Sequence, residues 1–259
     1  MLLKDKVVVI AGVGPGLGRK LTLLCVKEGA KVGIGCRNTT FLNGLTEEVK
    51  GLGGQIVSAP LDVKNNDQCV GLVEATAKAF GRIDGLANSA YMYSPGAFED
   101  IELDAWINAT DVTCFGALRM AKAVLPHMKK AGGGSIVNIS TMETHKPRPG
   151  EGAYAIPKAA LEMATRQLAF ELGKHKIRVN STLMGWMWGA PVENALNNWA
   201  KSSGQPLQAI KDGVVSQIPL AEMPTDDDCA KSVVFFLSDY SNVVTGQGLN
   251  VNGGEYMNV

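Results

Sequence analysis

An α/β fold, with one parallel sheet carrying helices on both faces, is what this sequence predicts. Three observations carry that expectation. Short apolar runs rich in Val and Ile alternate with helix-length amphipathic stretches along the whole chain. Seven such runs can be read as strands, and the segments between them are long enough for the crossovers that parallel strands need. No internal repeat, low-complexity tract or linker divides residues 1–259, so the chain is read as a single domain.

The first run, KVVVIA (6–11), sits in MLLKDKVVVIAGVG, where lysines before an apolar stretch have the look of a secretion signal. The stretch is short and dissolves into glycines and Pro15 with no small-residue cleavage site, so it is read as a buried first strand. A helix over 17–29 follows, then KVGIGC (31–36) and QIVSA (55–59) as the second and third strands. A helix over 66–80 leads to RIDGLAN (82–88), one over 104–130 to GSIVNIS (134–140), and one over 152–174 to IRVNSTL (177–183). Residues 184–224 then break the rhythm and hold Trp186, Trp188 and Trp199, three of the four tryptophans. Long excursions from a compact sheet are usually functional or mobile, and this one is read as a substrate lid. The alternative is a surface helix pair packing its own aromatics. A helix over 226–238 and the strand LNV (249–251) close the fold.

Composition narrows the function classes. Lys plus Arg and Asp plus Glu each total 25, so no net field draws the chain to nucleic acid or an anionic membrane. Near neutrality also favours self-association. The five cysteines, Cys25, Cys36, Cys69, Cys114 and Cys229, form no CxxC pair and suit neither a disulfide framework nor a zinc site; they read as reduced cytoplasmic thiols. No segment approaches the ~20 apolar residues that span a bilayer. His127, His145 and His175 match no metal or triad spacing, so no metal is expected, and His145 in ETHKPRP reads as an exposed loop histidine.

The turn AGVGPGLG (11–18) follows the first strand and opens a helix. It does not match Gly-x-Gly-x-x-Gly; it shows Gly12-x-x-x-Gly16-x-Gly18, with Gly14 and Leu17 inside the turn. Glycines let backbone approach a pyrophosphate, and a helix N-terminus offers free N–H groups and partial positive charge. The second strand ends at Cys36-Arg37-Asn38, where an acidic residue would accept from a ribose 2′-hydroxyl. Cationic Arg37 instead suits a 2′-phosphate, which favours NADP over NAD. Asp62, after the third strand, is a candidate for the adenine amino group with help from the Val63 backbone. Asn88 ends the fourth strand, as a further cofactor contact or as a fixing group for its turn.

Tyr154 and Lys158 stand four residues apart on the helix in GAYAIPK and share one face. A nearby ammonium favours a phenolate and shifts the phenol from about 10 towards the working pH. Taken in order, Gly12-x-x-x-Gly16-x-Gly18, Leu61-Asp62-Val63, Asn88, the strand IVNIS, Tyr154-x-x-x-Lys158, Arg178-Val179-Asn180 and Val251-Asn252-Gly253-Gly254 resemble the short-chain dehydrogenase/reductase family over essentially the full chain. The resemblance implies a Rossmann-type domain, assembled as a dimer or tetramer through the helices near 104–130 and 152–174. It also implies Tyr154 as proton donor or acceptor, Lys158 on the nicotinamide ribose, and a hydroxyl at position 141 that orients the substrate oxygen.

Several positions depart from the family pattern. Thr141 replaces serine, which keeps the donor and acceptor set and adds a methyl. Counting from Trp106, the asparagine of the family's proton relay falls on Thr113, and Asn108 would face elsewhere. Met184-Gly185 replaces Pro-Gly, Gly189 replaces a threonine that touches the carboxamide, and Asn252 replaces an aspartate. The combined expectation is an NADP(H)-dependent oxidoreductase acting on a small-molecule ketone or secondary alcohol, apolar or cyclic in body. The competing expectation is a nucleotide-binding sensor or assembly protein with little turnover.

Overall fold

The computed structural model describes residues 1–257. Its seven strands are β1 (Val7–Ala11), β2 (Lys31–Cys36), β3 (Ile56–Pro60), β4 (Gly85–Asn88), β5 (Gly134–Thr141), β6 (Ile177–Met184) and β7 (Gly248–Val251). All pair in parallel, in the order β3-β2-β1-β4-β5-β6-β7. Nine α-helices are described: α1 (Leu17–Lys27), α2 (Thr39–Gly51), α3 (Asn66–Phe80), α4 (Leu103–Thr110), α5 (Gly116–Ala131), α6 (Gly152–Leu172), α7 (Ala190–Ser203), α8 (Leu207–Val215) and α9 (Asp226–Leu237).

The apolar continuity of the first strand follows from burial on both faces. Val8 and Ile10 join a cluster with Leu21, Leu45 and Val233 from α1, α2 and α9. Val7 and Val9 point the other way, into a cluster with Leu72, Val124 and Leu172 from α3, α5 and α6. Alternate residues of a central parallel strand each meet a helical layer, so none is free to be polar. Helix starts are fixed locally: Asn38, Asn65 and Thr225 accept backbone N–H bonds from Phe41, Gln68 and Asp228.

Two boundaries differ from the sequence reading. The predicted strand 82–88 begins at Gly85, because Arg82 pairs with Asp84 and the Asp84 carboxylate accepts from Val7 N at 2.9 Å, turning the chain into the sheet. The predicted helix 104–130 is two helices joined by a π-helical turn, Asp111–Phe115. All five cysteines are free and buried. No described helix is long and apolar enough to cross a membrane.

Crossovers leave β1 towards β2 on one side, while β4 continues the sheet on the other. The C-terminal ends of β1 and β4 therefore flank the crevice where open α/β sheets bind ligands.

Candidate active site

Two clefts open at that crevice and share Gly12, Gly14, Pro15, Ser89 and Tyr91 as common lining. Gly12 leaves β1 at φ +90°, and a Cβ there would stand 2.4 Å from Ala90 N, so only glycine fits. A Cβ on Gly14 would meet nothing within 4 Å, so the loop faces open space on the ligand side. Gly16 caps α1 without a side-chain hydrogen bond, and the first turn, with Leu17 and Gly18 on the cleft wall, keeps N–H groups for an anion. This cradle fits a dinucleotide pyrophosphate.

The cleft of about 360 Å³ beneath β2 and β3 is lined by Cys36, Arg37, Asn38, Asp62 and Val63. Arg37 is exposed and makes no ion pair among the described residues. Asp62 is held by its own loop: its carboxylate accepts from Lys64 N, and its N–H donates to Gln68. Asn88 stands apart from both clefts. Its amide donates to Asn138 at 2.9 Å, whose own amide donates to Thr165, tying β4 to β5 and α6. Of the two roles expected for Asn88, the geometry favours the fixing one.

The second cleft, about 400 Å³, lies over the ends of β5 and β6 and holds Tyr154, Lys158 and Thr141 together. Lys158 is fully buried on α6, and its ammonium nitrogen donates to Ile139 O at 2.5 Å. Burial holds it down to about 7, against the pull of Glu162 in the other direction. Tyr154 behaves opposite to the sequence expectation. Burial pushes its phenol well above the ordinary value, Tyr91, Glu143 and Glu151 add to that, and only the Thr141 hydroxyl works against it. The Lys158 nitrogen is 5.8 Å from the Tyr154 ring centre and does not offset desolvation. The phenol is thus held in its neutral form. Ser140, the neighbouring hydroxyl, donates to Glu162 at 2.9 Å and is committed there.

Sequence reasoning missed the aromatic cage. Tyr91 and Tyr93, from the YMY that follows β4, pack edge-on to Tyr154 with ring centres 5.9 and 5.7 Å away. No helical or strand period marks them; an aromatic pair just past a sheet end was the available signal.

The departures have local reasons. Thr113 lies in the π-helical turn, buried, and its hydroxyl accepts from Met92 N at 3.2 Å. Asn108 accepts from Lys64 on the outer surface. Asn252 bridges the C-terminal turn by accepting from Gly254 N and donating to Tyr256 O; a carboxylate could not make the second bond. A Cβ on Gly189 would stand 1.9 Å from a carboxylate oxygen of Asp226, which occupies that space instead. Asp226 lines the cleft at 5% exposure, and burial raises its carboxyl to about 6, with Lys20 opposing and Asp227 adding.

Residues 184–224 form α7 and α8 over a small separate core of Leu196, Ile210, Val214, Ile218 and Met223, with Trp186 and Trp188 packed against it. Trp186, Met187, Pro191, Val192 and Ala195 also wall the cleft, whereas Trp199 is about half exposed. His145 is partly exposed, hydrogen-bonds Glu162 at 3.1 Å and stacks on Tyr256.

A seven-stranded parallel sheet with a glycine cradle at its switch point, and a tyrosine–lysine helix across from it, defines the class of single-domain α/β oxidoreductases. Comparison with known proteins gives the family. A family model described as Enoyl-(Acyl carrier protein) reductase matches residues 12–255. The 3-oxoacyl-[acyl-carrier-protein] reductase FabG of Thermotoga maritima is 32% identical over 254 residues, 98% of this chain and 99% of that protein. The 2,5-dichloro-2,5-cyclohexadiene-1,4-diol dehydrogenase LinX of Sphingobium indicum is 31% identical, over 97% of this chain and 96% of its own length. A solved short-chain type dehydrogenase/reductase from Mycobacterium ulcerans superposes with a TM-score of 0.89 at 30% identity, covering 98% of this chain and 91% of that one. The chain belongs to the short-chain dehydrogenase/reductase family and is an oxidoreductase by that membership.

Proposed function

We propose that this protein interconverts a ketone and a secondary alcohol with NADP(H), NAD(H) being the weaker cofactor, and that Tyr154 exchanges the proton. The observation that carries the reading is the convergence of Tyr154, Thr141 and Lys158 in one cleft that continues into the glycine cradle. The nicotinamide ring supplies or accepts the hydride when bound. Thr141 positions the substrate oxygen, and Tyr154, kept neutral by burial, donates its proton to the oxygen as charge develops there. Lys158, near its midpoint at neutral pH, is suited to a ribose hydroxyl and to the phenolate left behind. Arg37 suits a 2′-phosphate as a free guanidinium at the end of β2.

An apolar, cyclic substrate body suits walls made by Met142, Met184, Met187, Trp186 and Val192. LinX is named for a cyclohexadiene diol, and a 29% identical Escherichia coli relative for a 7alpha-hydroxysteroid. Residues 184–224 serve as the lid of this single domain. A homo-oligomer, dimer or tetramer, suits the apolar side chains exposed on the long helices, Ile107, Phe115, Met163 and Phe170. We place it in the cytoplasm, on its five reduced thiols.

A second reading, a dinucleotide-binding protein with little turnover, draws on Thr113, whose hydroxyl is occupied by Met92 N. A panel of cyclic and linear ketones and alcohols, followed by nicotinamide absorbance with each cofactor, separates the two. Turnover of at least one ketone with NADPH is expected; tight dinucleotide binding with no turnover across the panel would favour the second reading.

A further inference from the structure

The apolar walls do not account for the whole of the reaction cleft. Beside Tyr154 it is lined by Glu143, Arg148, Glu151 and Tyr93. Glu143 lies in the turn that follows Thr141, and Glu151 is the N-cap residue of α6, three positions before Tyr154. The elements that set the reacting groups therefore also set these carboxylates. Both raise the Tyr154 phenol electrostatically, as expected of charges facing the same space.

Their charge is not matched. Arg148 and Lys146 both turn to Glu255, at 2.8 and 3.1 Å, leaving Glu143 a longer contact of 3.7 Å to Arg148. Arg148 is also stacked on Trp186 at 4.7 Å, which fixes it in that orientation. The Glu151 carboxylate receives one hydrogen bond, from the Tyr93 hydroxyl at 2.6 Å. One oxygen of Glu143 and one of Glu151 are buried without any hydrogen-bond partner. Around this pocket stand three carboxyl groups, Glu143, Glu151 and Glu255, against Lys146 and Arg148, with Lys158 the further cation of the cleft; the acidic excess is present once Glu143 is ionised, above neutral pH. Burial lifts Glu143 to about 7, with Arg148 opposing and Glu151 and Glu255 adding. Unpartnered carboxylate oxygens in a buried wall are costly, and a ligand that brings a donor to them relieves that cost.

We infer that Glu143 and Glu151 are specificity-determining residues that select substrates carrying a second hydrogen-bond donor, a hydroxyl or an ammonium, on the ring that bears the reacting carbon. Carboxylated or phosphorylated substrates are turned away by the same pair. The site itself is defined by the cleft around Tyr154 and Thr141; the two carboxylates set what its occupant must offer. This inference rests on the ketone–alcohol reading above and extends it from an apolar body to a ring with polar substituents. Arg148 does not reverse the sign, because Glu255 takes its shorter contact.

The test measures binding and turnover separately, at pH 8 where Glu143 is ionised, on the full chain saturated with NADP+. Cyclohexanone, 4-hydroxycyclohexanone, 4-aminocyclohexanone and 4-oxocyclohexanecarboxylate are titrated by calorimetry, and the same four are assayed as substrates with NADPH. Wild type is expected to bind the hydroxy and amino rings about 10-fold or more tighter than the carboxylate. That ratio should collapse towards unity in Glu143→Gln/Glu151→Gln. Each single variant, Glu143→Gln and Glu151→Gln, is expected to remove part of it, so the measurement survives poor folding of the double variant. Equal affinity for all four rings, preference for the carboxylate, or an unchanged ratio in the variants would overturn the inference. The selective binding pattern without reduction of any ring would leave it standing and defeat the ketone–alcohol reading instead. Reduction with no donor preference would do the reverse.

Discussion

The cleft under β2 and β3 and the cleft over β5 and β6 share the glycine loop but are built from different materials. In the first, the groups that face a ligand are backbone N–H and strand-end residues, held by Gly12, Cys36 and Val63 close to where the chain leaves the sheet. Apart from Arg37 and Asp62 it offers little charge. The second gathers side chains from β5, α6, α7 and α9, and three of its carboxyls, Glu143, Glu151 and Asp226, stand in partly or fully buried positions. Backbone shape and the Arg37 cation decide what enters the first; the protonation of several side chains decides what the second can do.

The largest break in that comparison should come from Tyr154→Phe. Removing one oxygen from the second cleft is expected to lower kcat by about 10²–10⁴ while leaving dinucleotide affinity nearly unchanged. Activity close to wild type in a ketone assay would remove Tyr154 from the chemistry. Next, Arg37→Gln should weaken NADPH binding by about 10- to 100-fold and NADH binding hardly at all. Fluorescence titration with both cofactors checks this, and equal losses would reject a phosphate contact.

Asp226 lines the second cleft beside Gly16 of the glycine loop and sharpens the contrast. Its carboxyl titrates near 6 in the folded chain, above the ordinary carboxylate range. Below that pH it is neutral and can donate to a phosphate oxygen; above it, a negative charge faces the pyrophosphate cradle. Dinucleotide affinity should therefore fall as pH rises from 5 to 8. In Asp226→Asn it should stay flat, about 5-fold tighter than wild type at pH 8. A parallel pH slope in both proteins would place the titrating group elsewhere. Stability follows the same sign. Asp226 and Glu143 have folded values above their unfolded ones, so the stabilisation they give is fully present below about 4 and is lost as pH rises through 6 and 7. The smallest effect is expected from Thr141→Ser, which keeps the hydroxyl and frees its rotamer; kcat/KM should change by about threefold or less. A rise would mark the methyl as an obstruction, and a fall would mark it as part of the substrate fit.

The same division explains what could be read in advance. Strand runs were legible because burial on both faces makes Val7 to Ala11 uniformly apolar, and six of the seven strands begin and end within one residue of the expected runs. The glycine turn was legible because its chemistry is backbone chemistry, and Gly12 announces the positive φ it must adopt. Tyr154 and Lys158 were legible as a helical pair, but the direction of the phenol's shift was not. That direction depends on Tyr91, Glu143 and Glu151, which reach the site from other segments. Asp226 gave no local sign at all: three acidic residues after Thr225 read as an ordinary helix start, and only the folded chain turns one of them towards Gly189.

The five cysteines have a practical consequence. Each is buried and each thiol is raised by burial, so few thiolates form at neutral pH. Maleimide reagents should leave the native protein almost unmodified. One cysteine placed on the exposed face of α7 would then be a unique handle for a fluorophore, and whether the segment above the reaction cleft moves when a ligand enters could be read in solution without first stripping the chain of its own sulfur.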